Sequence, residues 1–176
     1  QAQLDVAAQM ATEDADFFIH TGDVIYPAGG IGAAVQEYNY RYFRPYQAFL
    51  SRIPSFPVVG NHDLYGLFGQ PFRDAFTLPS NGTGGNLEEL YYSFEWGDSK
   101  FIAIESNTLF QYSTTGSHMN WLSRELRQNT KKWLVVYLHA PLYSAGQHGD
   151  NVALQNNLGP LLENYGVDLL IAGHDH

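Results

Sequence analysis

The sequence contains no cysteine, which excludes disulfide staples and any thiolate-ligated metal site. Basic residues are also scarce. Nine Lys and Arg stand against eighteen Asp and Glu, a formal net charge of −9. Nucleic acids and anionic membranes both call for a basic face, so neither is an expected partner. No apolar run approaches the roughly 18 residues needed to span a bilayer, and no signal peptide is recognisable. The chain begins with Gln1 rather than Met and stops at His176. That reads as a partial or processed chain, and it leaves the compartment open.

What is present fits a globular core. Hydrophobic residues make up 44% of the 176 positions and charged residues only 15%, which argues against disorder and for one well-buried domain over residues 1–176. Leu4, Ala7, Ala8 and Met10 predict a helix leading into a short apolar strand, Phe17-Phe18-Ile19. A glycine-rich loop from Pro27 to Ala34 precedes an aromatic helix over Tyr38 to Leu50, kinked or split at Pro45. Phe56 to Val59 reads as a second strand, and the Gly-, Pro- and Asn-rich stretch from Leu64 to Leu90 as a surface loop on the substrate side. Further on, Tyr91–Trp96 and Lys100–Glu105 predict a hairpin around Gly97-Asp98-Ser99. Met119, Leu122 and Leu126 share one helical face, and Trp133–Leu138 reads as a buried strand. Leu158 to Tyr165 predicts one last helix ending at Gly166, followed by a strand over Asp168–Ala172. The alternation of strands and helices gives an α/β class.

Polar side chains cluster where these strands end. Gly22-Asp23 follows the first strand, and a carboxylate there can bridge two cations with its two oxygens. Tyr26, three residues on, brings a phenolic oxygen suited to a hard ion such as ferric iron; equally, Asp23 can cap the next turn and Tyr26 pack on the sheet. Gly60-Asn61-His62-Asp63 follows the second strand. Asn61 offers a neutral amide oxygen and His62 a group for a substrate oxygen, although Gly-Asn is also ordinary turn chemistry. His139 closes the Trp133–Leu138 strand. His148 lies nine residues later, between Gly146 and Gly149, and reads either as an exposed loop residue or as an imidazole able to swing over the strand ends. In Gly173-His174-Asp175-His176, residues two apart on extended chain point the same way, so both imidazoles would face one site, with Asp175 orienting an imidazole. Asn81-Gly82-Thr83 is a glycosylation sequon in a loop; His20 and His118 stay unassigned, His20 with a supporting position behind the site open to it. Four strand ends, all bearing O and N donors, point to a dinuclear metal site.

Gly22-Asp23-x-x-Tyr26, Gly60-Asn61-His62-Asp63, Val136-x-x-His139 and Gly173-His174-x-His176 resemble the successive motifs of the calcineurin-like metallophosphoesterases. Tyr26 narrows the resemblance to the purple acid phosphatases, and the step from His139 to His148 with Pro141 between them is similar to the small tartrate-resistant type. The resemblance implies a β-sandwich flanked by helices and a ferric ion beside Fe²⁺, Zn²⁺ or Mn²⁺. Carried over by motif, Asp23 bridges the metals, Tyr26 and His176 bind the ferric ion, and Asn61, His139 and His174 bind the divalent one. His62 and His148 then face the ester, and a charged imidazole giving a proton to the leaving oxygen suits an acidic optimum. The implied activity is phosphate-monoester hydrolysis, acting on a small phosphate ester or a phosphoprotein. The alternatives are a phosphodiesterase or an inactive metal-binding scaffold. A monomer is expected, in a secreted, periplasmic or lysosomal setting. The family also carries an upstream Asp-x-Gly motif. Asp5, Asp14 and Asp16 are not followed two residues later by Gly, and the strands beyond the last His motif are absent, so the expectation is a catalytic domain truncated at both ends.

Overall fold

The computed structural model of the chain describes residues 1–26, 34–65, 68–84 and 87–176. Most of the glycine-rich loop expected from Pro27, and parts of the expected 64–90 loop, lie outside those residues. Helix α1 (Ala2–Met10) buries only Ala7. It is tied down by polar contacts, Gln3 to the Arg41 carbonyl at 2.7 Å and Arg52 to the Ala11 carbonyl at 2.7 Å. Strand β1 (Phe18–His20) pairs in parallel with β2 (Ser55–Pro57), with Ile19 opposite Phe56. Between them the aromatic segment is broken, as Pro45 predicts. Helix α2 (Val35–Tyr38) runs into one π-turn, Asn39–Phe43, and the chain resumes as α3 (Gln47–Leu50).

Helices α4 (Asn61–Leu64) and α5 (Gln70–Ala75) follow, so the expected 64–90 loop carries a helix of its own. A four-stranded sheet then forms in the order β3 (Tyr92–Trp96), β4 (Ser99–Ile104), β5 (Trp133–Leu138), β6 (Leu169–Ile171). The β3–β4 hairpin closes at Trp96 opposite Ser99, while β5 runs parallel to both neighbours, with Val136 between Ile102 and Leu170. A strand covered on both faces needs a continuous apolar run, and five of the six β5 residues are buried. Crossovers between β4 and β5 pass through α6 (Leu109–Tyr112) and α7 (Ser117–Arg127). On α7, Met119, Trp121, Leu122 and Leu126 are buried, and Glu125 reaches Lys100 of β4 at 2.9 Å and Ser93 of β3 at 2.8 Å. A further short helix, α8 (Val152–Asn157), precedes the helix expected over 158–165, which is α9 (Gly159–Asn164), with Pro160 in its first turn, where the missing N–H is no loss.

The two sheets meet through aromatic rings. Phe56 of β2 stacks on Phe94 of β3 with centroids 4.0 Å apart, and Phe17 packs edge-on against Phe94 and Phe101. The Tyr92 hydroxyl donates to the Pro57 carbonyl at 2.7 Å across the same seam. Asn81 of the sequon is engaged internally: its amide nitrogen donates to the Ser93 carbonyl at 2.7 Å, and its oxygen accepts from the Ser93 N–H at 3.0 Å. His118 is buried against Phe110, centroids 4.9 Å apart.

Candidate metal centre

Where β1 and β2 end, the chain turns sharply, and the turns interlock. Asp23 sits in the left-handed region at φ 51, a conformation that costs a non-glycine residue strain and recurs at functional sites. A side chain at position 22 would strike the His139 ring, and one at 60 would strike the Asp23 backbone; close approach requires glycine at both, and at 22 a φ of 91 requires it as well. Asp63, fully buried, fastens the two turns together. One of its oxygens accepts from the Gly60 and Val24 N–H groups at 2.9 and 3.1 Å. The other accepts from the Ile25 N–H at 3.3 Å and the Tyr38 hydroxyl at 3.0 Å. Burial pushes the Asp63 carboxyl up to about 6 despite these bonds.

His139 follows β5, with 1% exposure. Its N–H and that of Ala140 donate to the Ser106 hydroxyl oxygen at 3.1 and 2.7 Å. Its Nδ1 lies 2.7 Å from the Thr21 carbonyl, which sets Nδ1 as the protonated nitrogen and leaves Nε2 with a lone pair. Around Nε2 converge Asn61 Oδ1 at 3.0 Å, His174 Nδ1 at 3.0 Å and Asp23 Oδ2 at 3.3 Å. The ligand atoms of Asp23, His139 and His174 all fall within 4.8 Å of one another. Burial raises the Asp23 carboxyl, but His139 and the His62 amide outweigh that and hold it below its ordinary range. Burial lowers the His139 ring, yet the facing Asp23 carboxylate prevails and raises it. His174 is pushed down by burial and then by the neighbouring His139 and His148.

A carboxylate, an amide oxygen and two imidazoles converging on one point fit a borderline divalent cation such as Zn²⁺, Fe²⁺ or Mn²⁺. Tyr26 borders this set: burial and then the Asp23 carboxylate push its phenol up, and its ring lies 4.5 Å from that of His62. The His62 N–H donates to Asp23 Oδ1 at 2.9 Å, and the ring of Tyr65 lies edge-on to the His62 ring at 5.3 Å. His148 is exposed, and its ring leans on that of His174 with centroids 4.1 Å apart. Beside the cluster opens a cleft of about 610 Å³, lined by Asn61, Asn107, Pro141, His148, Asp150 and His174 among others.

One expectation from extended-chain geometry changes. His174 adopts φ 73, so alternation does not continue through the motif, and His176, exposed, is not part of the Asp23–His139–His174 trio. Asp175 does not hydrogen-bond an imidazole; its carboxylate accepts from the His148 backbone N–H at 3.0 Å and from the Ser144 hydroxyl. His20 lies behind the site with Nδ1 buried and unpartnered, and burial followed by the His139 charge lowers it to about 4. The supporting roles of Asp63, Ser106 and Asn107 were missed in the sequence. Asn107 donates to the Val59 carbonyl at 3.1 Å, bracing the turn before Asn61. It is itself set by the buried Glu105, which accepts from its N–H at 2.8 Å. The available signal was position, since Glu105-Ser106-Asn107 follows the apolar run of β4 as Asp23 follows that of β1.

Strand ends that bring such a donor set together beside an open cleft define an α/β metal-centre protein. More narrowly, the chain belongs to the calcineurin-like phosphoesterase family, whose profile matches residues 2–176. It is 26% identical over 190 residues to the tartrate-resistant acid phosphatase type 5 of Mus musculus, an alignment covering 98% of this chain and 58% of that protein. It is 28% identical over 197 residues to purple acid phosphatase 3 of Arabidopsis thaliana, covering 99% of this chain and 53% of that one. The chain thus spans a little over half the length of these relatives. Among solved structures, a purple acid phosphatase from yellow lupin (Lupinus luteus) seeds superposes with a TM-score of 0.80 at 20% identity, over 97% of this chain and 33% of that one. The inner-membrane-complex anchor GAP50 of Plasmodium superposes with a TM-score of 0.67 at 20% identity, over 98% and 60%. The fold is the mixed α/β metallophosphoesterase fold.

Proposed function

We propose that the chain is the catalytic domain of an acid phosphatase, hydrolysing phosphate monoesters at a dinuclear centre of Fe³⁺ and a divalent ion. When bound, the metals supply Lewis acidity toward phosphoryl oxygens and activate the attacking water. Asp23 would be shared between the two ions, Asn61, His139 and His174 would hold the divalent one, and Tyr26 and His176 would hold the ferric one. Cations are also what reconciles this chain with an anionic substrate, since its net charge is −9 and Asp23 faces the cluster. His62 and His148 orient the phosphate ester, and one of them donates a proton to the leaving oxygen. Asp63, Ser106 and Asn107 keep the ligand turns in register, which holds the donor side chains in place for the ester. The substrate class is a small phosphate ester or a phosphoprotein, with no nucleic acid or membrane partner, and the protein acts as a monomer.

The observation that carries this reading is the convergence of Asp23 Oδ2, Asn61 Oδ1 and His174 Nδ1 on His139 Nε2, within 3.3 Å, beside a cleft lined by His148. Turnover of p-nitrophenyl phosphate and bis-p-nitrophenyl phosphate by the metal-loaded protein tests it. Monoester preference with acid-favoured turnover supports the proposal. Preference for the diester would move it to the phosphodiesterase alternative, and metal binding without turnover of either would leave a scaffold.

A further inference from the structure

The loop from Ser144 to Asp150 carries His148 over the site, yet it contains little that would hold it still. Its internal bonds are few: the Gly146 N–H donates to the Ser144 hydroxyl oxygen at 2.9 Å, the Ser144 N–H to Asp150 at 2.9 Å, and the Gly149 N–H to the Gly146 carbonyl at 3.3 Å. Glycines at 146 and 149 leave the backbone free. The anchor from outside the loop is Asp175. One carboxylate oxygen accepts from the His148 N–H at 3.0 Å and the other from the Ser144 hydroxyl. Gly146 lies so close to this carboxylate that a methyl group there would collide with it. Three loop positions are therefore shaped to one side chain, which is not among the groups lining the cleft.

Asp175 is also the chain neighbour of His174, whose ring lies 4.1 Å from that of His148. His148 is thus held twice by one short segment, at its backbone by Asp175 and at its ring by His174. We propose that Asp175 is a positioning residue that fixes the His148 imidazole over the phosphate ester, coupling the placement of that group to the segment carrying a metal ligand. The inference rests on the reading of His148 as a group that faces substrate. A carboxylate suits the task because it accepts at both oxygens. Asparagine offers one acceptor and one donor, so it retains only part of the clamp.

Two measurements on the same variants test this. The first is amide hydrogen exchange of the metal-free protein, which does not depend on activity. Asp175→Ala should raise exchange across 144–149 by about tenfold or more while β5 is unchanged, and Gly146→Ala should do the same by displacing the carboxylate. The second is steady-state hydrolysis of p-nitrophenyl phosphate by the metal-loaded protein, with metal content measured in parallel. A displacement of about 1 Å costs on the order of 10²-fold in rate, so Asp175→Ala should lower kcat by roughly 10–100-fold with metal per chain unchanged. Asp175→Asn should recover part of the loss. In a His148→Ala background, Asp175→Ala should add nothing. Unchanged exchange at 144–149, independent losses in the double variant, or loss of metal in Asp175→Ala would each overturn the proposal. If exchange responds but wild-type protein turns over no phosphate ester, the acid phosphatase reading fails, and the catalytic role of Asp175 fails with it.

Discussion

His139 Nε2 and His174 Nδ1 face each other across 3.0 Å, two imidazole nitrogens from strand ends 35 residues apart in sequence. With Nδ1 of His139 committed to the Thr21 carbonyl at 2.7 Å, at most one proton can lie between the pair. A cation accepts both lone pairs at once, together with the Asn61 and Asp23 oxygens. His139→Ala should therefore weaken divalent-ion binding by more than the roughly 10–100-fold that loss of a supporting residue alone costs. Binding should also weaken as pH falls, because Asp23 raises His139 and protons then compete for its nitrogen. Isothermal titration with Zn²⁺ at two pH values checks both.

Tyr26 is 48% exposed and held close to the Asp23 carboxylate, which opposes its ionisation. A trivalent ion beside it reverses that balance. The iron-loaded protein should show a visible phenolate-to-iron absorption band, and Tyr26→Phe should abolish it. A band that survives the substitution would remove Tyr26 from the ferric position.

Asp63→Ala strips acceptors from the N–H groups of Gly60, Val24 and Ile25 and from the Tyr38 hydroxyl. Buried donors left unpaired cost about 1–3 kcal/mol each where water cannot replace the partner. Urea unfolding of the metal-free protein should show a loss of at least about 2 kcal/mol, with metal affinity falling alongside as the two turns separate.

Asp63 and His20 give opposite pH slopes. The folded-state value of Asp63 is raised from 3.8 to about 6, so the folded chain holds that proton longer and the contribution is lost as pH rises through about 6. His20 is lowered from 6.5 to about 4. The unfolded chain takes that proton first, so stability is lost as pH falls from about 6.5 toward 4. His20→Phe should remove an acid-side loss on the order of 1–2 kcal/mol between pH 7 and pH 5, measured as the change in unfolding free energy relative to wild type. A parallel curve would show that His20 does not titrate in this window.

Asp23, Asn61, His139 and His174 were legible in the sequence because each follows an apolar strand run, three of them directly after a glycine. Strand β5 and the face of α7 were legible for the same reason, since their periodicity is local. Asp63, Ser106 and Asn107 were not, because what they do depends on partners tens of residues away: Val24 for Asp63, His139 for Ser106 and Val59 for Asn107. The partners of Asp175 were not legible, because Ser144 and His148 lie 31 and 27 residues away in the chain. Helix α8 was not legible, because only Leu154 of its six residues is buried and no apolar face marks it.

The most direct test of the metal-centre account is a titration of the purified 176-residue chain with Zn²⁺, read as bound metal per chain. The account predicts at least one tightly held ion, displaced when His139, His174 or Asn61 is replaced by Ala and unaffected by His118→Ala, which lies in the core away from the site. A chain that binds no ion, or binds it equally well without His139 and His174, would contradict the account.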